Sequence, residues 1–159
     1  MRTKVEKELL RSAIAAFENT CFMYSMPELK EVQQSFSVEA AVEIKYRGSF
    51  SGRLVIETSG GLYSAIAVNM LGTGNISGEQ RKDALGEMAN IICGNVIPSL
   101  GSGGSEYSIE SPRMLGTSEL RNNRLGEPLA QVVLNLDKGR ADLKFYVNGY
   151  YPSKEKKVD

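Results

Sequence analysis

The sequence contains no histidine, only two cysteines and no excess of charge of either sign. Without imidazole, Ser–His and Cys–His nucleophilic systems are excluded, and so are histidine-ligated metals. Lysine plus arginine number 19 and aspartate plus glutamate number 19, so no electrostatic argument favours a nucleic acid or an anionic membrane as partner. Cys21 and Cys93 have no C-x-x-C neighbour, and we interpret both as small buried hydrophobic residues.

A long apolar run is also missing from the N-terminus. The chain begins Met1-Arg2-Thr3-Lys4 and continues into a mixed segment, which favours a soluble, cytoplasmic protein without signal peptide or membrane span. A chain of 159 residues can form one core without a metal or disulfide. We therefore expect a single domain over residues 1–152 and a charged, solvated or disordered tail over residues 153–159.

Hydrophobic periodicity and turn signals divide the chain into helices and antiparallel hairpins. Helices are predicted over residues 4–24, 62–71 and 79–97. Strands are predicted over residues 38–46, 52–58, 107–115, 130–136 and 141–150. Ser77 and Gln80 form a capping box before the third helix, and Pro98 is expected to end or kink it. Because helices and hairpins are segregated, the predicted fold class is α+β, an antiparallel sheet with helices packed on one face.

The helix over residues 79–97 has one apolar side and one polar side. At about 100° per residue, a single stripe of side chains points toward the core: Leu85, Met88, Ala89, Ile92, Val96 and Leu100. The opposite side carries a row of two acids, an amide and a glycine: Asp83, Glu87, Asn90 and Gly94. We identify Glu87 and Asn90, one turn apart in this row, as the candidate functional site.

Two features distinguish this row from an ordinary solvated helix face. Gly86 and Gly94 each cost a helix interior about 1 kcal/mol relative to alanine, which indicates that something approaches the backbone closely. Ile91 and Ile97 flank the row and place apolar side chains beside polar ones, as in a docking surface. The alternative interpretation is that a second layer of the protein covers this side and that the isoleucines belong to the core.

The pattern Asp83-x3-Glu87-x2-Asn90, followed by Pro112, resembles the signature of the CheX/CheC family of chemotaxis phosphatases. Between Asn90 and Pro112 lie 21 residues, one fewer than in the family pattern, and the Gly/Ser-rich stretch before Tyr107 can absorb this difference. Further resemblance is found in three stretches, residues 16–23, 65–72 and 85–95. Together the similar segments span most of residues 10–150.

The first helix resembles the second copy of the signature that CheC-type members carry. Ser12-x3-Ala16-x2-Asn19 has alanine where that copy requires glutamate, so the chain resembles the single-site CheX-type members. The resemblance implies a CheC-like fold, a homodimer formed through the sheet, and hydrolysis of the phosphoaspartate on a CheY-like response regulator in chemotaxis or another two-component system. It implies no cofactor of the chain's own, with Mg²⁺ expected on the response regulator.

The resemblance makes Glu87 and Asn90 the catalytic residues. An asparagine amide can hold a water by donating and accepting hydrogen bonds, as glutamine does in several GTPases, whereas Glu87 can pair with the regulator's lysine. The partner-binding residues are expected to be Asp83, Gly86, Ile91, Gly94, Ile97 and Pro112.

Three alternatives stay open. Asp83 can instead stabilise the helix dipole without any further function. The whole surface can belong to a non-catalytic CheX-like adaptor that binds a response regulator or a flagellar-switch component. Finally, the glycine-rich loop over residues 72–78 can hold a small ligand, although it lacks the lysine of a phosphate-binding loop.

Overall fold

The protein is described by a computed structural model that covers residues 2–26, 37–100, 106–121 and 126–148. In chain order the elements are α1 (Arg2–Cys21), β1 (Val38–Arg47), β2 (Gly52–Ser59), α2 (Leu62–Leu71), α3 (Gly78–Leu100), β3 (Ser108–Ile109), β4 (Arg113–Met114), α4 (Thr117–Arg121), β5 (Ala130–Leu136) and β6 (Gly139–Val147). The predicted tail over residues 153–159 and the predicted strand end at residues 149–150 lie outside the described residues. In the part of the chain that is described, no helix is long and apolar enough to cross a membrane.

One antiparallel sheet contains all six strands of the described residues. Its order is β3-β1-β2-β6-β5, and β4 also pairs with β1. Alternate side chains of a strand face opposite sides of the sheet, and one set is buried under the helices: Val42, Ile44, Tyr46, Leu54, Ile56, Leu143 and Phe145. The helices α1, α2 and α3 cover this face, so the predicted α+β class is confirmed.

The core between helices and sheet contains both cysteines. Cys21 Sγ lies 3.6 Å from Met88 Sδ, which joins the end of α1 to the middle of α3. Burial raises the pKa of Cys21 to about 11 and that of Cys93 to about 12. The Asn69 amide donates a hydrogen bond of 2.8 Å to the Cys21 carbonyl and so connects α2 to the end of α1. The interpretation of both cysteines as buried hydrophobic residues is confirmed.

The opposite face of the sheet carries a smaller apolar cluster surrounded by ion pairs. Its buried members are Ala41, Val55, Leu115 and Tyr146, and Leu120 of α4 packs against them. Glu43, Glu57 and Asp142 are buried beside this cluster, and each accepts a bond from an arginine or a lysine. The short helix α4 therefore lies on this second face, a feature that the sequence did not predict.

Several predicted element boundaries differ from the structure, and three of these differences change the core or the sheet. The helix α3 does not end at Pro98 but continues to Leu100, whose side chain is buried in the core. The helix α1 ends at Cys21 and not at Tyr24, since the segment after Cys21 turns to bridge β5 at Ser25. The single strand predicted over residues 107–115 is interrupted, and only β3 and β4 form at its two ends.

Candidate functional site

The first turn of α3 is fixed by reciprocal hydrogen bonds. The Ser77 N–H donates to Gln80 Oε1 at 2.9 Å, and the Gln80 N–H donates to Ser77 Oγ at 3.1 Å. These bonds satisfy two amides that the helix itself leaves without partners, and they confirm the predicted capping box. The loop over residues 72–78 has a structural role at both ends, because Gly72 adopts a left-handed conformation at the end of α2 and Ser77 caps α3.

The two sides of α3 differ in burial as the helical spacing predicts. Every residue of the apolar stripe is buried: Leu85, Met88, Ala89, Ile92, Val96 and Leu100. Asp83, Glu87 and Asn90 are exposed. The side chains of these three residues form no hydrogen bond or ion pair with another described residue. A carboxylate and a carboxamide one turn apart are thus presented on a helix whose other side is anchored in the core.

The chain over residues 109–114, from the end of β3 to the end of β4, contains a one-residue bulge and is called the bulged segment below. Ile109 pairs with Tyr46 and Met114 pairs with Val42, so residues 42–46 of β1 lie opposite residues 109–114, which contain one residue more. In a regular strand Ile109 and Met114 would face opposite sides. The extra residue lets both pack against the core on the helix side. Pro112, which has no N–H for the ladder, lies in this interruption.

Pro112 lies directly above Gly86 of α3. A Cβ added to Gly86 would lie 3.3 Å from both Cβ and Cγ of Pro112, which is closer than ordinary van der Waals contact. The group that approaches the helix backbone at this glycine is therefore a residue of the same chain. Among the described residues, a Cβ on Gly94 would meet only Ile109 Cδ1, at 4.0 Å, so none of them explains the second glycine by a close approach.

A groove of about 520 Å³ lies between α3 and the bulged segment. Its lining residues are Val42, Glu79, Lys82, Asp83, Gly86, Glu87, Asn90, Ile109, Glu110, Ser111, Pro112 and Met114. Four of them are acids and only one is basic. Lys82 is 3.4 Å from Glu79, and Glu110 is 3.5 Å from Arg47, so two of the acids have a cation within the chain. Asp83 and Glu87 have none among the described residues.

The predicted partner-binding residues do not all reach this groove. Asp83, Gly86 and Pro112 line it together with Glu87 and Asn90. Ile91 and Gly94 are half-buried beside it. Gly86 is itself buried and contacts Pro112, so its lack of a side chain makes room for a residue of the same chain.

The prediction that Ile97 belongs to a docking surface is wrong, because its side chain is 0% exposed and lies in the principal core cluster. The helix α3 contacts α1, α2 and β1, so its buried arc is wider than one apolar stripe. For Ile97 the alternative interpretation, that the residue is simply core, is the correct one.

Sequence reasoning missed several groove residues, and some had a detectable signal. Glu79 lies four residues before Asp83 and therefore continues the same helical row, although the row identified from the sequence begins at Asp83. Glu110 and Ser111 directly precede Pro112 and enter the groove through the bulge. No group of three or more Asp, Glu or Cys side chains in the described ranges is arranged to hold a metal ion.

An antiparallel sheet with three helices on one face, and a long helix that presents Glu87 and Asn90 to a groove, define a protein of the CheC-like fold class. A CheC-like superfamily protein from Shewanella sp. PV-4 matches with a TM-score of 0.62 and 18% identity, over 90% of this chain and 96% of that one. The chain belongs to the chemotaxis phosphatase CheX family, whose model matches residues 40–134. No curated protein sequence matches the chain.

Two solved CheX structures share the fold over nearly the whole of both chains. CheX from Desulfovibrio desulfuricans matches with a TM-score of 0.67 and 15% identity, covering 91% of this chain and 99% of that one. CheX in a CheX–CheY–BeF3–Mg²⁺ complex from Borrelia burgdorferi matches with a TM-score of 0.62 and 17% identity, covering 89% and 96%. At these identities the likeness concerns the fold.

Proposed function

We propose that this protein is a phosphatase that hydrolyses the phosphoaspartate of a CheY-like response regulator in chemotaxis or another two-component pathway. The observation that carries the proposal is the exposed pair Glu87 and Asn90, both lining one groove without partners among the described residues. Membership of the CheX family supports the reaction class. The CheX–CheY complex from B. burgdorferi supports the partner class. Such a substrate implies a cytoplasmic site of action.

The reaction needs a correctly placed water more than it needs a strong base. Water attacks phosphorus in line, the bond from phosphorus to the aspartyl oxygen breaks, and a free carboxylate and inorganic phosphate result. In our proposal the amide of Asn90 holds the attacking water by donating and accepting hydrogen bonds. The regulator supplies Mg²⁺ and a lysine that neutralise the developing charge. Orientation of the water can lower the barrier by several kcal/mol, which corresponds to about two to five decades in rate.

Glu87 has a separate role in the proposal, as the docking residue. It precedes Asn90 by three residues on the same side of α3, where side chains three apart are neighbours at about 5–6 Å between Cβ atoms. An exposed carboxylate at this position can pair with the regulator's lysine while Asn90 reaches the phosphoryl group. The three further acids of the groove favour a partner with a basic surface and association that weakens as salt concentration rises.

The test is phosphate release from a phosphorylated CheY-like regulator with wild-type protein, Asn90→Ala, Asn90→Asp and Glu87→Ala. We expect both Asn90 variants to lose at least about a hundredfold in kcat, because neither alanine nor a carboxylate can donate a hydrogen bond to the water. Glu87→Ala should mainly raise KM. Asn95→Ala is the matched control, since Asn95 is an exposed asparagine on α3 that does not line the groove.

The outcomes separate three mechanisms. Unchanged turnover in Asn90→Ala would refute the catalytic assignment. Turnover retained by Asn90→Asp but lost in Asn90→Ala would replace water positioning by general-base catalysis. Binding of the phosphorylated regulator without accelerated phosphate release by the wild-type protein would identify a non-catalytic adaptor in place of a phosphatase.

We also propose that the protein forms a homodimer through its sheet, on the strength of the family resemblance. The strand β5 lies at one end of the sheet. In the described part of the chain, Ser25 forms an isolated bridge to Leu136 on the outer side of β5. Its exposed Val133 leaves apolar surface near this end of the sheet. Light scattering that gives the mass of a single chain would refute the dimer.

A further inference from the structure

Adjacent residues of the bulged segment serve opposite faces of the sheet. Pro112 points toward α3 and contacts Gly86 in the groove. Arg113 pairs in register with Glu43 of β1, and its guanidinium lies with the carboxylate of Glu43 on the face away from α1, α2 and α3. Because successive side chains of a strand face opposite sides, a single peptide bond joins Pro112 in the groove to Arg113, which forms an ion pair on the far side of the sheet.

Arg113 is held there by two carboxylates from different elements. Its Nη2 donates to Glu43 Oε1 at 3.2 Å and to Glu119 Oε2 at 2.9 Å. Glu119, in α4, also accepts a bond of 2.9 Å from the Gly116 N–H, which fixes the turn after β4. Glu43 is only 4% exposed, so one partner of this network is buried and screened little by solvent.

Backbone bonds close the segment on both sides of the interruption. The Glu110 N–H donates to the Lys45 carbonyl at 2.9 Å, and the Leu115 N–H donates to the Ala41 carbonyl at 2.9 Å. Between these two bonds the ladder to β1 contains only the pairs of β4. Pro112 lies between these two bonds and directly precedes Arg113, the first residue of β4.

We infer that Arg113 is a positioning residue, which Glu43 and Glu119 hold on the far face of the sheet so that Pro112 stays against Gly86 and forms a rigid wall of the groove. The inference rests on the proposed function, because it concerns the surface onto which the regulator docks. The wall would contact the regulator equally before and during phosphoryl transfer. Its loss therefore affects KM and not kcat.

The network allows a variant that should fold. Glu43 lies 3.5 Å from Arg53 as well, so removing Arg113 leaves this buried carboxylate with a cation. Arg113 itself is 54% exposed, so replacing it removes no core packing. Arg113→Ala is the test variant and Arg113→Lys the conservative one. Arg11→Ala is the matched control, because Arg11 pairs with Glu8 on the surface of α1 away from the groove.

Two measurements are made on each variant. In phosphate release from a phosphorylated CheY-like regulator, Arg113→Ala should raise KM about three- to tenfold, because binding must then order a Pro112 wall that is no longer held in place. The kcat should stay unchanged within about twofold. Arg113→Lys should restore part of the loss. Amide hydrogen exchange at Glu110 and Leu115 should be faster in Arg113→Ala and unchanged in Arg11→Ala, and this readout needs no regulator.

The two readouts distinguish failure of this inference from failure of the proposed function. Wild-type exchange rates at Glu110 and Leu115 in Arg113→Ala, or a KM equal to that of Arg11→Ala, would overturn the positioning role. A fall in kcat at constant KM would also overturn it. Absence of turnover in the wild-type protein would overturn the proposed function, while the exchange data would still decide whether Arg113 holds the wall.

Discussion

At the scale of single residues, two glycines of α3 look alike in the sequence but have different surroundings. A Cβ on Gly86 would press on Pro112, whereas a Cβ on Gly94 would make an ordinary contact with Ile109. We expect Gly94→Ala to raise the free energy of unfolding by about 1 kcal/mol, the usual gain from replacing a helical glycine. Gly86→Ala should raise the free energy of unfolding by less. It should also displace Pro112 and so raise KM for the phosphorylated regulator.

Urea denaturation and phosphate release measure both variants, and each is the control for the other. Equal stabilisation by the two alanines, with unchanged turnover in both, would contradict the contact between Gly86 and Pro112. The row of Asp83, Glu87 and Asn90 could be predicted from helical spacing because these residues lie on the side of α3 opposite the apolar stripe. The reason for a glycine at position 86 could not be predicted, because Pro112, the residue that contacts it, lies 26 residues further along the chain.

At the scale of elements, the start of α3 depends on the reciprocal bonds between Ser77 and Gln80. Ser77→Ala should lower the free energy of unfolding by about 1 kcal/mol, because it leaves the Gln80 amide without its side-chain acceptor. The measurement is urea denaturation of Ser77→Ala, Gln80→Ala and the double variant. Since the bonds form one motif, the double variant should lose less than the sum of the single losses. Strict additivity would contradict a coupled capping box.

The pattern of hydrophobic residues located most of the helices and strands correctly, and each of its failures has a physical cause. The alternation over residues 107–115 indicates a strand, but the extra residue can be recognised only against β1, which fixes the facing of Ile109 and Met114. The helix α4 has five residues, too few for a periodic signal. The burial of Ile97 could not be predicted from periodicity, because the width of a buried arc depends on the elements around the helix.

At the scale of the whole molecule, the two thiols report on global unfolding. Cys21 lies in α1 and Cys93 in α3, and both are fully buried with raised pKa values of about 11 and about 12. At pH 8 both are protonated and shielded, so a thiol reagent should label neither in the native protein. In denaturant both should react together. Mass spectrometry after a labelling pulse measures this, and fast native labelling of either cysteine would show that its helix opens locally.

The one-residue bulge makes the lining of the groove depend on strand register as well as on residue type. A slip of register that closed the bulge without loss of a residue would restore a regular ladder and invert the facing of the chain on one side of the bulge. Either Ile109 would leave the groove, or Arg113 would turn its cation toward Asp83 and Glu87. A change of register here would therefore change the apolar lining or the charge of the groove without any substitution.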